Sequence, residues 1–228
     1  MINKIKKKIS YLILIIIIPL VVIGGGIIFK EKRYAFVSIA VIALACVPFF
    51  IVYEKKSHNT SQVIILGVMT ALCIIGRVIF AFVPGFKPVS AMVIITGIYL
   101  GSECGFMSGA LTALISNFYF GQGPWTPFQM LTWGLIGLFA GMLAESLKSS
   151  KVRLSIYGAL SGVLYSFLMD FWSMLWADGG LNLKRYVALL GTSAVFTLMY
   201  AVSNVIFLLL LCKPIGLTIE RIRTKYNI

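Results

Sequence analysis

Asn117-Phe118-Tyr119-Phe120-Gly121-Gln122-Gly123-Pro124-Trp125-Thr126-Pro127-Phe128-Gln129 is the longest stretch rich in turn formers between two apolar segments of this chain. Gly121, Gly123, Pro124 and Pro127 cannot all sit in a regular helix, so the chain turns here and re-enters a helix near Thr126 or Pro127. Loops usually turn polar, yet this one keeps Phe118, Tyr119, Phe120, Trp125 and Phe128 beside the amides of Asn117, Gln122 and Gln129. Aromatic faces with a few amide donors and acceptors suit a pocket for an uncharged organic ligand. For the lone aromatics an interfacial aromatic belt is the simpler explanation. It does not require the amides or the Gly/Pro geometry, so the whole constellation reads as a binding loop.

Composition sets the class. The 228 residues are 60% hydrophobic and 12% charged, a balance that a soluble domain with a polar surface does not carry. The chain reads as an all-α integral membrane protein. Its net charge of +13 sits at the ends of apolar segments, where basic residues set orientation, so nucleic acid is not an expected partner. Cys46, Cys73, Cys104 and Cys212 lie in or beside apolar segments without CxxC spacing, and signal neither disulfides nor zinc.

Outward from the turn, the chain divides in three. Residues 1–60 hold apolar runs at about 11–29 and 34–53 and a polar linker with the sole histidine, His58, and read as an accessory transmembrane hairpin. Residues 61–216 form a core with apolar stretches at about 63–83, 88–100, 104–120, 127–147, 152–176 and 186–211, and 217–228 form a basic cytoplasmic tail. Several stretches fall below the roughly 20 residues of an upright span, which implies broken helices around a cavity. With both termini inside, thirteen Lys/Arg fall in inner segments and six in outer ones, which favours that orientation in the cell membrane. The aromatic turn then faces outward with the loops at 84–88 and 178–185.

Small residues recur four apart at Gly67/Ala71, Gly105/Gly109, Gly137/Gly141 and Gly158/Gly162. Such pairs let helices approach closely. The last three read as packing inside the bundle; Gly67 and Ala71, on the first core helix, offer a face for either packing or a partner. Arg77 and Asp170 are charges inside apolar segments, a costly placement that asks for a role. Both fall toward the outer halves of their helices, where they contact each other or reach a common pocket; Arg77 has snorkelling to the headgroups as its alternative. Glu103 reads as a solvated loop charge.

The chain contains no G-x-x-x-x-G-K-[ST] loop, no H-E-x-x-H helix and no G-x-S-x-G elbow, so neither ATP hydrolysis nor another enzyme activity is expected. A pocket without an engine implies a partner.

The residues Gly76-Arg77, Pro84-Gly85-Phe86-Lys87-Pro88, Gly97, Gly101, Gly105, Gly109, Ser116-Asn117 and above all Gly121-Gln122-Gly123-Pro124-Trp125-Thr126-Pro127 carry a family resemblance. The core resembles the substrate-binding S components of energy-coupling factor (ECF) transporters, most closely the cobalamin-uptake branch. The resemblance implies a six-helix membrane fold and an outer vitamin pocket. It also implies a transmembrane coupling subunit and two ATPase subunits as partners. ATP is then used by those partners, the chain itself carries no cofactor, and cobalamin enters as substrate. The family's A-x-x-x-A docking motif falls on Gly67-x-x-x-Ala71, with Ile75 in the next place. On this reading Asn117, Gln122 and Gln129 bond ligand amides, Gly123 shapes the turn, and Trp125 and Trp133 are apolar walls. Arg77, Lys87 and Asp170 hold the loops or reach polar substituents. Another vitamin, a self-sufficient secondary transporter and a membrane assembly protein remain as alternatives.

Overall fold

A computed structural model describes residues 60–225 together with Cys46 and Phe50. The expected N-terminal hairpin otherwise lies outside the described residues. Among them every regular element is helical: α1 Thr60–Ile79, α2 Val89–Leu100, α3 Ser102–Phe120, α4 Thr126–Met142, α5 Ala144–Lys148, α6 Lys151–Asp178 and α7 Leu183–Lys225. α1, α6 and α7 are long and apolar enough to cross a membrane. α2, at 12 residues, spans only about 18 Å at ~1.5 Å per residue, well short of a hydrocarbon core.

The helix ends follow from local chemistry. Gly101 and Gly121 stop α2 and α3 at φ 97° and 100°, and Gly179 ends α6 at φ 65°, conformations that side chains resist. Pro127 occupies the first turn of α4, where a missing N–H breaks no helical bond. Ser150 caps α6 by accepting from the Arg153 N–H at 3.4 Å. The apolar stretch expected as one helix over 127–147 breaks at Leu143 into α4 and the short α5. α7 continues past Pro214 to Lys225, and there Arg223 donates to the Tyr99 carbonyl at 3.1 Å.

Consecutive long helices alternate in direction, which gathers the connections at 80–88, 121–125 and 179–182 at one end of the bundle, here termed the loop end. α2 lies at the centre: all of its residues are buried except Tyr99, which is half-buried, as expected of a helix apolar all round. It is clamped by glycines. A Cβ on Gly97 or Gly105 would strike the Gly137 carbonyl, one on Gly109 the Trp133 backbone, and one on Gly141 the Ser102 backbone. These glycines let α2, α3 and α4 meet backbone to backbone. Gly162 does the same for α6 against the α7 backbone at Ala201, and Gly158 makes room for the Leu208 side chain.

The 80–88 connection is fixed against α7. Phe80, Phe86 and Phe207 pack with ring centroids 5.1 to 6.1 Å apart, and the Lys87 backbone exchanges two hydrogen bonds with Ser203 Oγ, at 2.9 and 3.0 Å. At the opposite end α1 and α7 part around an apolar groove of about 630 Å³, lined by Ile64, Val68, Leu72, Leu211 and Ile215 among others.

Candidate functional site

The turn after α3 is built by its own polar side chains. Gln122 Nε2 donates back to the Leu114 carbonyl at 2.7 Å, and Gln122 Oε1 accepts from Thr126 Oγ1 at 3.0 Å. The Thr126 N–H closes the turn on the Gly123 carbonyl at 2.9 Å. The Trp125 indole lies against Gly123, where a Cβ would overlap its ring, and meets Trp172 of α6 edge-on at 5.8 Å. Gly123 is therefore required by a close approach.

Beneath the turn runs a buried polar chain. Arg77 Nη1 donates to Ser116 Oγ and, at 2.8 Å, to Asn117 Oδ1. Asn117 Nδ2 donates to Thr126 Oγ1 at 2.9 Å and Gln129 Oε1 at 2.8 Å, and Gln129 Nε2 donates to the Tyr165 hydroxyl at 3.2 Å. Asn117 is 0% exposed and both its amide protons are used. Its role in this geometry is to join α1, α3 and α4.

Aromatic rings wrap the chain. The Arg77 guanidinium lies 4.6 Å from the Phe120 centroid and 5.2 Å from that of Trp133, and Lys87 Nζ lies 5.6 Å from Phe120. Trp133 stacks on Tyr165 at 5.2 Å, and Tyr165 meets Tyr200 edge-on at 5.2 Å. Burial pushes the Lys87 ammonium below its ordinary range, and the Arg77 charge adds to the shift.

Beside this chain is a cavity of about 300 Å³ between α4, α6 and α7. Gln129, Tyr165, Asp170, Ser193, Phe196 and Tyr200 line it, with Ser166 and Met169. Asp170 accepts a short hydrogen bond from Ser193 Oγ. The cavity thus offers aromatic faces, one carboxylate, an amide and hydroxyls.

Of the residues expected from sequence, Arg77, Asn117, Gln129 and Trp133 come together in one network, with Lys87 at its edge. Gln129 and Asp170 reach the cavity, while Gln122, Gly123 and Trp125 shape the adjoining turn. Three expectations change. Arg77 is 8% exposed and held from within by Ser116 and Asn117, so it does not snorkel to the surface. It does not pair with Asp170, whose partner is Ser193. Glu103 is buried at the start of α3 instead of solvated. Tyr165, Ser193, Phe196 and Tyr200 escaped the sequence reading. Ser166, Ser193 and Thr197, polar residues inside otherwise apolar helices on either side of Asp170, were the available signal.

Gly67 differs from the other small residues: nothing stands within 4 Å of the place of its Cβ. Ala71, Ile64, Val68 and Ile75 are exposed on the same helix.

Residues 57–217, the whole helical core with its turn and cavity, match the family described as ECF-type riboflavin transporter, S component. The chain belongs to this family. No curated protein and no solved structure matches it. An S component is the substrate-binding subunit of an ECF transporter, a helical membrane protein and not an enzyme. It works with a membrane coupling subunit and ATPases on a small vitamin. The self-sufficient carrier and the assembly protein give way to this assignment. The S component reading reached from the turn motif holds at the level of the family.

Proposed function

We propose that this S component captures cobalamin or a related corrinoid at the loop end of its bundle, with that end outside the cell and both termini inside. The observation that carries the vitamin site is the cavity walled by Tyr165, Phe196 and Tyr200, with Gln129, Asp170 and Ser193 as polar groups. Aromatic faces with few polar groups suit a flat heterocycle. The corrinoid is supported by the Gly121–Pro127 run and its resemblance to the cobalamin branch. A corrin macrocycle is far larger than about 300 Å³, so on this reading only the benzimidazole of the nucleotide arm enters the cavity. The macrocycle rests above it on the turn of Gln122 and Trp125.

Riboflavin is the second reading, favoured by the description of the matched family and by cavity size. About 300 Å³ stands at the low end of ligand pockets, roughly 300–1,000 Å³, and suits one compact ring system. Docking to the coupling subunit falls to the α1 face around Gly67 and Ala71, supported by the open space over Gly67.

Titration of the detergent-purified chain with cobalamin, cobinamide, riboflavin, folate and pantothenate tests the reading. Tight cobalamin binding with weaker cobinamide, which lacks the nucleotide arm, is the expected result. Tight riboflavin without cobalamin transfers the site to the second reading. Loss of neither ligand on Tyr165→Ala or Tyr200→Ala overturns the cavity as the vitamin site.

A further inference from the structure

Arg77 carries a buried positive charge that nothing among the described residues neutralises. Among the described residues its hydrogen bonds run from Nη1 to Ser116 and Asn117, and both acceptors are neutral. The ion pairs of the described residues, Lys148 with Glu220 and Arg185 with Asp178, involve neither Arg77 nor Lys87. Lys87 brings a second cation to the same Phe120 ring, and the Arg77 charge lies near enough to be felt at Lys87. The Trp133 indole, 5% exposed and beside Arg77, has an Nε1–H that is buried without an acceptor. Unsatisfied buried donors and unpaired buried charges are both costly, and native proteins rarely keep them side by side without a use.

The group that satisfies all of them is an acceptor-rich anion. It accepts from the Arg77 guanidinium and from the indole N–H, and it neutralises charge shared by Arg77 and Lys87. We propose that Arg77, Lys87 and Trp133 form a seat for an anionic group of the substrate, a phosphate ester or a carboxylate, next to the ring cavity. The Trp133–Tyr165 stack joins this seat to the cavity wall, so one ligand reaches both through a ring and an attached anion. The inference rests on the capture reading above and narrows it: the phosphodiester of cobalamin meets the requirement, whereas riboflavin carries no such group.

The test uses the full chain in detergent and two ligand pairs that differ only in a phosphate: α-ribazole against α-ribazole phosphate, and riboflavin against flavin mononucleotide. The phosphorylated member of the pair that binds should do so roughly ten- to hundredfold more tightly, as charge-assisted hydrogen bonds do when formed in a buried site. Arg77→Gln should remove that preference, Arg77→Lys should keep part of it, and Lys87→Met and Trp133→Phe should each reduce it. The last two preserve the fold if Arg77→Gln does not. In parallel, sodium phosphate should raise Tm above sodium chloride at equal ionic strength in the unmodified protein, and not in Lys87→Met or Arg77→Gln. A ring ligand that binds without phosphate preference, together with no phosphate-specific rise in Tm, overturns the seat and leaves the capture reading standing. A phosphate-specific rise that depends on Arg77 and Lys87, with no vitamin bound, keeps the seat and removes the capture reading.

Discussion

Asn117 Nδ2 donates to Gln129 Oε1 at 2.8 Å, and the bond ties the last turn of α3 to the first turn of α4 across the Gly-Pro turn that both residues flank. Because Asn117 also accepts from Arg77, this one amide closes a three-helix junction. Asn117→Ala leaves Gln129 and a buried guanidinium short of partners, each at about 1–3 kcal/mol. Stability should fall by about 3 kcal/mol or more, read as a lowered Tm in detergent. A Tm equal to that of the unmodified protein would show that water replaces the amide.

The glycines of the central seam give a sharper contrast. Gly137→Ala places a methyl on the Gly105 carbonyl, a backbone atom that cannot rotate away, so it should destabilise by about 1–3 kcal/mol or more. Gly67→Ala meets nothing and should be neutral or stabilising by up to about 1 kcal/mol, since alanine favours helix. Thermal unfolding of both variants checks the pair; a similar loss at the two positions would contradict the difference in packing.

A bulky residue at Gly67 separates binding from assembly. Gly67→Leu should bind vitamin like the unmodified chain yet copurify poorly with the coupling subunit and ATPases, and uptake in cells should fall in parallel. Equal loss of vitamin binding and assembly would place this face inside the bundle.

At the turn, Gly123→Ala forces the Trp125 indole off its place and away from Trp172. Tryptophan fluorescence should change and vitamin affinity should drop by roughly tenfold or more, about 1.4 kcal/mol. Gln122→Ala should act in the same direction by releasing the Leu114 carbonyl and Thr126, with a smaller effect because Gln122 is exposed. Full affinity in both variants would reduce the turn to a membrane-interface anchor.

Asp170 tests the cavity itself. Asp170→Asn retains an acceptor for Ser193 while removing the charge, so Tm should hold within about 0.5 kcal/mol of stability while vitamin affinity changes. Isothermal titration distinguishes the two effects; unchanged affinity would move the ligand away from the α6–α7 wall.

The turn at 121–127 is legible from sequence because glycine and proline restrict the backbone locally, and α4 begins at Thr126 for that reason. The alternation of apolar segments likewise yields the six helices other than the short α5, since length and hydropathy are properties of each segment alone. The depth of Arg77 is of another kind. A charge near a helix end reads the same whether it reaches headgroups or turns inward, and the difference lies in Ser116, Asn117, Phe120 and Trp133, brought to it by α3 and α4. The amides illustrate the same limit. Asn117 and Gln129 share a loop rich in aromatics, and only the fold reveals that they spend hydrogen bonds on each other. Tyr165 and Tyr200 look like ordinary helix residues until α6 and α7 face them across the cavity.

The cavity and the glycine seam draw on different helices. Seven of the eight cavity residues come from α6 and α7, while Gly97, Gly105, Gly109, Gly137 and Gly141 of the central seam lie on α2, α3 and α4; within the α6–α7 hairpin, Gly162 against the Tyr200 and Ala201 backbone admits no extra methyl either. On the proposed reading, ligand choice and the central frame therefore reside largely on different helices: substitutions on the cavity wall can retune what is carried without touching the α2–α4 seam. A chain built this way is a chassis with an exchangeable wall, and on that reading engineering toward a new cargo begins at Ser166, Met169, Ser193 and Phe196 and leaves the seam and Gly162 untouched.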